Sequence, residues 1–124
     1  MAKTIADAVY DAALQYIEDN TTLVTVCSAQ PTTYAEASAT YKLADVVTDA
    51  SDFTGPADGT TGRKTVVNAQ TGVTVDSSGT ATYVAGSKSA TEALLWVTTC
   101  TSQVLTAGNT VDIPAITVTL ADPS

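Results

Sequence analysis

The sequence contains no histidine, and this absence limits the chemistry that the chain can perform. Histidine is the commonest general base, proton shuttle and metal ligand in proteins, so most enzyme classes lose their usual machinery. The chain has two cysteines, and thiolates without histidine make a poor zinc set and lack the base that activates a nucleophile. We therefore expect a protein that is not an enzyme and that holds no cofactor and no metal.

Basic residues are also scarce, with five against 13 acidic residues and a net charge of −8. A surface of this sign repels phosphate backbones and anionic lipids, which argues against nucleic-acid and membrane partners. No apolar run approaches the roughly 20 residues that cross a bilayer. The N-terminal segment carries Asp7 and Asp11 and lacks the apolar core of a signal peptide. We expect a product that stays soluble where it is made.

Hydrophobic residues make up 44% of the 124 residues and charged residues 15%, which is the composition of a folded chain. The length predicts one domain over residues 1–124. Threonine and valine are abundant, and their branched side chains favour strands. We predict a mainly β fold with one N-terminal α-helix, arranged as a small antiparallel β-sandwich or barrel-like domain. The helix falls within residues 1–20 and the β-rich body covers residues 21–124.

The predicted helix runs over residues 5–17, after a capping pair of Thr4 and Asp7. Its polar sector is narrow, and apolar residues form two flanks. The polar sector contains Asp7, Asp11, Gln15 and Glu18, one flank contains Ile5, Val9, Ala12 and Tyr16, and the other contains Tyr10, Leu14 and Ile17. One flank suffices to cover a sheet, so the second flank is either a contact with another molecule or lies under a folded-over loop. We place the candidate contact at the second flank.

The body of the chain shows strand patterns separated by polar turns. A long loop is predicted at about residues 48–62, anchored by Phe53, which is a further candidate contact residue. The strand around Trp96 is apolar on both faces and is therefore predicted to be central in its sheet. The predicted segments are strands at 22–28, 41–47, 63–68, 73–76, 80–85, 92–100 and 116–120, with a short helical turn at 34–39 and polar turns at 70–72, 77–79, 86–89 and 106–110.

The acidic residues around Phe53 and the two cysteines leave alternatives open. Carboxylates on a loop are the ligands that calcium prefers, but their spacing does not match the twelve-residue calcium loop, so a solvated acidic turn is favoured. Cys27 and Cys100 are either free thiols, which a reducing compartment favours, or a long-range disulfide.

Three stretches of the chain together resemble small structural proteins of tailed bacteriophages. They are VCSAQPTTYAEA at 26–37, DFTGPADGTTGRK at 52–64 and LLWVTTCTSQVLTAGNTVDIPA at 94–115. The resemblance extends from the opening helix to the closing ADPS, and none of these stretches has a chemical role.

The resemblance implies a virion component, made in the bacterial host cytoplasm and present in many copies. The assignment it favours is a decoration or cement protein that binds the outer capsid surface at junctions between major capsid subunits. A tail, neck or fibre protein, including a receptor-binding module, is the alternative. The expected partners are the major capsid protein or another virion protein, together with further copies of this chain as a homo-oligomer. From the residues alone, the expected contacts are Tyr10, Leu14, Ile17 and Phe53.

Overall fold

The computed structural model describes residues 5–121, which contain one α-helix and nine β-strands. The helix α1 spans Asp7–Asn20. The predicted capping pair depends on Thr4, which lies outside the described residues, and the observed N-cap, Ala6, makes no side-chain capping hydrogen bond. At the other end the Asn20 side-chain amide donates to the Tyr16 carbonyl at 2.8 Å. The following residue, Thr21, is extended, so the helix ends without a left-handed residue.

The strands form antiparallel sheets, as the sequence predicted. Their bounds are β1 Leu23–Cys27, β2 Lys42–Val47, β3 Phe53–Asp58, β4 Arg63–Val67, β5 Gln70–Thr74, β6 Gly79–Lys88, β7 Ala93–Leu105, β8 Thr110–Ile113 and β9 Ile116–Leu120. A π-helical turn at Glu36–Thr40 lies between β1 and β2, where the sequence predicted a short helical segment. The Thr33 hydroxyl caps this turn by accepting from the Glu36 amide at 3.1 Å.

The larger layer is an incomplete barrel. Four strands form a sheet in the order β2-β1-β6-β7, and β5 pairs separately with β8. A bridge between Ala44 and Val75 joins β2 to the end of β5. The strand order around this layer is therefore β7-β6-β1-β2-β5-β8, and β7 and β8 are not paired with each other.

The hydrophobic core fills this incomplete barrel. Its buried members come from six strands, the residue after β5 and no helix, and they are Val24, Val26, Leu43, Ala44, Val73, Val75, Ala81, Val84, Leu105, Val111 and Ile113. Trp96 packs against the edge of this cluster, and its indole N–H donates to the Thr21 hydroxyl at 3.2 Å. The ring lies directly over Gly86, where a Cβ atom would collide with it. Glycine at this position therefore makes room for the tryptophan.

The smaller layer is a three-stranded sheet, β3-β4-β9, covered on one face by α1. Alternation along β4 directs Thr65 and Val67 toward the helix, and both are buried. The turn before β4 places Gly62 at φ +67, against the Leu120 carbonyl of β9, so that a side chain here would be strained and would clash. The helix and this turn thus hold the smaller sheet together at one end.

Two strand predictions were wrong. The predicted loop at 48–62 contains a 3₁₀ turn, Ala50–Asp52, and the strand β3, in which Gly55 and Pro56 cause a register shift against β4. Glycine and proline conceal this strand because they are typical of turns. The strand around Trp96 is not central. It lies at the edge of the four-stranded sheet, while β1 and β6 occupy the centre.

Two predicted turns were placed wrongly, and one strand was predicted too short. Residues 70–72 begin β5, and Gly72, at φ +66, lies in an irregular part of its pairing with β8. Strand β6 continues through residues 86–88, and a 3₁₀ turn follows at Ser89–Thr91. Strand β7 extends five residues beyond the predicted end at Cys100. These strands are longer than their apolar patterns because backbone pairing continues through polar threonine and serine residues.

The two cysteines are free, and they lie on opposite faces of the four-stranded sheet. Cys27 accompanies Thr25 on the face covered by the π-helical turn, where its thiol donates to the Ala37 carbonyl at 3.6 Å. Cys100 packs against the core cluster on the other face. Strand β6 separates their strands, and two strand spacings of about 4.8 Å exceed the Cα separation that a disulfide tolerates.

Candidate functional site

The inner side of α1 is a stripe of Tyr10, Leu14 and Glu18, spaced four residues apart and all buried. Leu14 is fully buried against the smaller sheet, and the Tyr10 hydroxyl donates to the Ala121 carbonyl at 3.1 Å. Ile17 is half-buried beside this stripe. The prediction that Tyr10, Leu14 and Ile17 form an uncovered flank was therefore wrong, because this flank is the one that packs on the chain's own sheet.

Glu18 was predicted to be a solvent-facing residue and is instead buried, with 5% of its surface exposed. The Thr65 hydroxyl on β4 donates to its carboxylate at 2.9 Å. Burial raises the pKa of Glu18, and this hydrogen bond opposes the shift without cancelling it. A polar pair thus occupies the space between helix and sheet where a sequence pattern predicts apolar residues.

Asp11 borders the inner side and connects the helix to the sheet electrostatically. Arg63 at the start of β4 binds its carboxylate through two nitrogens, at 2.8 and 3.1 Å, and also binds Asp58 at 2.7 Å. The two carboxylates raise the pKa of Arg63. Together with the Glu18–Thr65 hydrogen bond, these ion pairs join the inner side of the helix to β4.

Phe53, the other predicted contact residue, is also buried, with 7% of its surface exposed. It is the first residue of β3 and pairs with Val67 on β4. The ring anchors the strand to the interior, and this burial contradicts a role as an exposed contact. The Asp49 and Asp52 side chains before it cap the 3₁₀ turn that leads into the strand.

The surface that remains uncovered is the opposite flank of the helix, which we name the outer flank: Ile5, Val9, Ala12 and Tyr16. Val9 is 60% exposed and Tyr16 is 57% exposed, and they lie two helical turns apart on one face. Ile5, just before the helix, is 42% exposed, and Ala12 between the turns is exposed. The sequence pattern indicated both flanks, and the prediction of which one is exposed was wrong.

A second apolar surface is a groove of about 440 Å³ between β7 and the segment formed by β8 and the start of β9. We name it the β7–β8 groove. Its floor is part of the core, and its rim is rich in hydroxyl groups. The floor includes Val26, Ala81, Val84, Val111 and Ile113, and the rim includes Thr98, Thr99, Thr101 and Thr117. Sequence reasoning missed this groove because it arises from the divergence of two strands that are adjacent in the chain.

Cys100 lines the β7–β8 groove and is half-buried there. Burial raises the pKa of its thiol, which keeps it protonated at neutral pH. The register between β6 and β7 shifts between Ala81 and Tyr83, so that β7 has extra residues at this point. The bulge directs the Cys100 segment toward the groove. This thiol is therefore a natural reporter of whether the groove is filled.

No protein-family model, curated protein or solved structure matches the chain. Within residues 5–121 there is no group of three or more cysteine and acidic side chains that could hold a metal ion. In the same range, no helix has both the length and the apolar character needed to cross a membrane. The fold and surfaces define a small mainly β protein with a helix-covered sheet and two apolar surfaces left open.

Proposed function

We propose that this protein is a bacteriophage structural protein of the decoration or cement type, which binds the outer capsid surface and stabilises contacts between capsomers. The observation that carries the proposal is the outer flank of α1, an exposed apolar face on a helix whose other side already covers its sheet. Apolar side chains grouped on one exposed face are typical of interaction sites. The resemblance of the sequence to tailed-phage structural proteins supports the virion as the place of assembly.

The charge of the chain favours a partner with basic surface groups. Asp7 and Asp19 are exposed at the two ends of α1, and the whole chain carries a net charge of −8. Such a surface attracts a basic partner and repels nucleic acid and anionic membrane. The partner that fits the proposal is the major capsid protein or another virion protein.

Binding alone would carry out this function, and no catalytic step is proposed. The protein would stabilise the assembled shell because it binds the shell and not its separated subunits. Repeated copies on a shell, or a homo-oligomer of this chain, would multiply the effect of a small interface per copy. Three of the described acidic side chains, Asp11, Glu18 and Asp58, are engaged in structural contacts with Arg63 or Thr65.

Attachment to the tail, neck or fibre is the second candidate, because the same apolar flank fits any virion surface. A receptor-binding module would use exposed aromatic rings to stack on sugars. Trp96 does not favour this reading, since its ring lies over Gly86 and its N–H is bound to Thr21. Tyr16 is the exposed aromatic residue of the outer flank, and it fits protein contact equally well.

The test is retention of the purified chain on particles of the phage that encodes it, after removal of the native copies. We expect the wild type to co-sediment with heads and the double variant Val9→Ser, Tyr16→Ser to lose about tenfold or more in affinity. Val47→Ser is the matched control, because Val47 is 80% exposed on β2 and does not belong to the outer flank. Retention on tails alone would favour the second candidate, and absence from every particle would refute the proposal.

A further inference from the structure

Edge strands in this fold differ in how they are protected against pairing with other chains. Natural edges are blunted by charges, proline or short length. Strand β8 is short and carries Asp112, β9 is short, and β3 carries Pro56 and Asp58. Strand β7 is 13 residues long, and its sequence, ALLWVTTCTSQVL, contains no charge, no proline and no glycine. The longest edge of the molecule is therefore also the least protected one.

The unprotected edge borders the β7–β8 groove. Strands β7 and β8 are joined by only four residues, 106–109, a length that usually connects a paired hairpin. Here β7 pairs with β6 and β8 pairs with β5, so the two strands diverge from their connection. The groove lies in the resulting wedge, and core residues such as Val84 and Ile113 line its floor while remaining buried.

We propose that the β7–β8 groove accepts an extended segment of the partner protein, which adds to β7 as a further strand. This inference rests on the proposed function, and it names the kind of contact that the virion partner makes. Peptide N–H and C=O groups along the free edge of β7 would bind the backbone of the segment. Its inward side chains would be small and apolar, because the groove floor is formed by valine, alanine and isoleucine.

Charge and strand pairing favour a segment from a different protein over one from a second copy. A second copy could offer the free edge of its own β7, but every strand within residues 5–121 already belongs to a sheet and would remain attached to it, so none could enter the groove as a separate segment. Pairing of two copies along this edge would also bring two grooves of the same negative charge together, whereas a basic segment would be attracted. Asp112 at the groove contributes to this negative field, and we expect lysine or arginine to flank the apolar part of the incoming segment.

The experiment uses the full chain and purified phage heads, with the Cys100 thiol as the probe. We expect binding to heads to slow the reaction of Cys100 with a thiol reagent by about tenfold or more, because the incoming strand covers the groove. Cys27 is fully buried and serves as the internal reference. Hydrogen exchange at the β7 amides between residues 98 and 104 should slow in the same complex.

Thr101→Lys places a charge on the exposed edge of β7 at the groove, and we expect about tenfold weaker retention on heads. Thr61→Lys adds the same charge in an exposed turn and should bind as the wild type does. Thermal melting verifies that each variant is folded, and Thr99→Lys replaces Thr101→Lys if the latter unfolds.

The outcomes separate this inference from the proposed function. Normal retention on heads with unchanged Cys100 reactivity, or with full binding of Thr101→Lys, would overturn the groove proposal alone. Protection of β7 that grows with protein concentration in the absence of heads would show edge pairing between copies and would also overturn it. Failure of the wild type to bind any particle would remove both.

Discussion

The two flanks of α1 look alike in the sequence and differ completely in the structure. Leu14 on the inner side is fully buried, whereas Val9 on the outer flank is 60% exposed. Both flanks are apolar, so hydrophobicity alone does not decide which one faces the sheet. The buried side also has polar partners, since Glu18 meets Thr65 and Asp11 meets Arg63 on the same strand. The amphipathic pattern therefore identifies the apolar flanks of the helix, and only the contacts with the strands show which flank is buried.

The largest expected effect is on the free energy of unfolding, when an aliphatic side chain is shortened to alanine on each flank in turn. Leu14→Ala should lower the free energy of unfolding by about 2–5 kcal/mol, because it leaves a cavity under the helix. Val9→Ala should change it by less than about 0.5 kcal/mol. Denaturant titration measures both. Equal losses in the two variants would contradict the assignment of inner and outer sides.

The burial of Leu14 also determines what a charged substitution on the inner side will do. A flank exposed to solvent would tolerate Leu14→Asp and lose only its binding partner. Because Leu14 is fully buried, the same substitution should unfold the chain, and it cannot serve as a test of assembly. The outer flank is where binding and folding can be separated.

A smaller effect is expected from removing one hydroxyl on the inner side. Tyr10→Phe deletes the hydrogen bond to the Ala121 carbonyl, which ties the helix to the chain after β9. The expected loss is about 0.5–1.5 kcal/mol in unfolding free energy. Tyr16→Phe on the outer flank is the control and should leave stability unchanged, since Tyr16 is 57% exposed. A stable Tyr10→Phe variant would show that this contact contributes nothing.

The smallest effect is expected at Glu18, and it depends on pH. Burial raises the pKa of Glu18 above the 4.5 of the unfolded chain, so the folded state holds the proton more tightly. Its contribution to stability is complete below pH 4.5 and is lost as pH rises through the folded pKa. Glu18→Gln keeps an oxygen for Thr65 and should be more stable than the wild type at pH 7, by about 1 kcal/mol or less. The advantage should vanish near pH 4.

The measurement is the melting temperature of the wild type and of Glu18→Gln at pH 7 and near pH 4. If Glu18→Gln were less stable than the wild type at pH 7, the carboxylate would be stabilising in its charged form, and the raised pKa would be wrong.

Much of the fold is predictable from local patterns. Alternating or β-branched segments gave β1, β2, β4 and β9 close to their observed bounds, and the helix lies within the predicted residues 1–20, although it continues past the predicted end at Ile17 to Asn20. Strand β3 could not be found this way, because Gly55 and Pro56 imitate a turn while their neighbours still pair with β4. The edge position of β7 was also hidden, since the run LLWV resembles a strand covered on both faces.

The candidate surfaces were less predictable than the fold. The outer flank depends on contacts between residues far apart in sequence, such as Asp11 with Arg63. The β7–β8 groove depends on strand order, because β7 pairs with β6 and β8 pairs with β5, on opposite sides of the groove. Neither property is encoded in a local pattern. One signal was present in the sequence, namely the absence of charge from the 13 residues of β7.

The most direct test of the central claim is a reconstruction of the phage particle at a resolution that places this chain. We expect copies on the outer capsid surface, with Val9 and Tyr16 facing a neighbouring protein and Leu14 enclosed within the chain's own fold. A map in which the outer flank faces solvent on every copy, or in which the particle carries no copy, would contradict it.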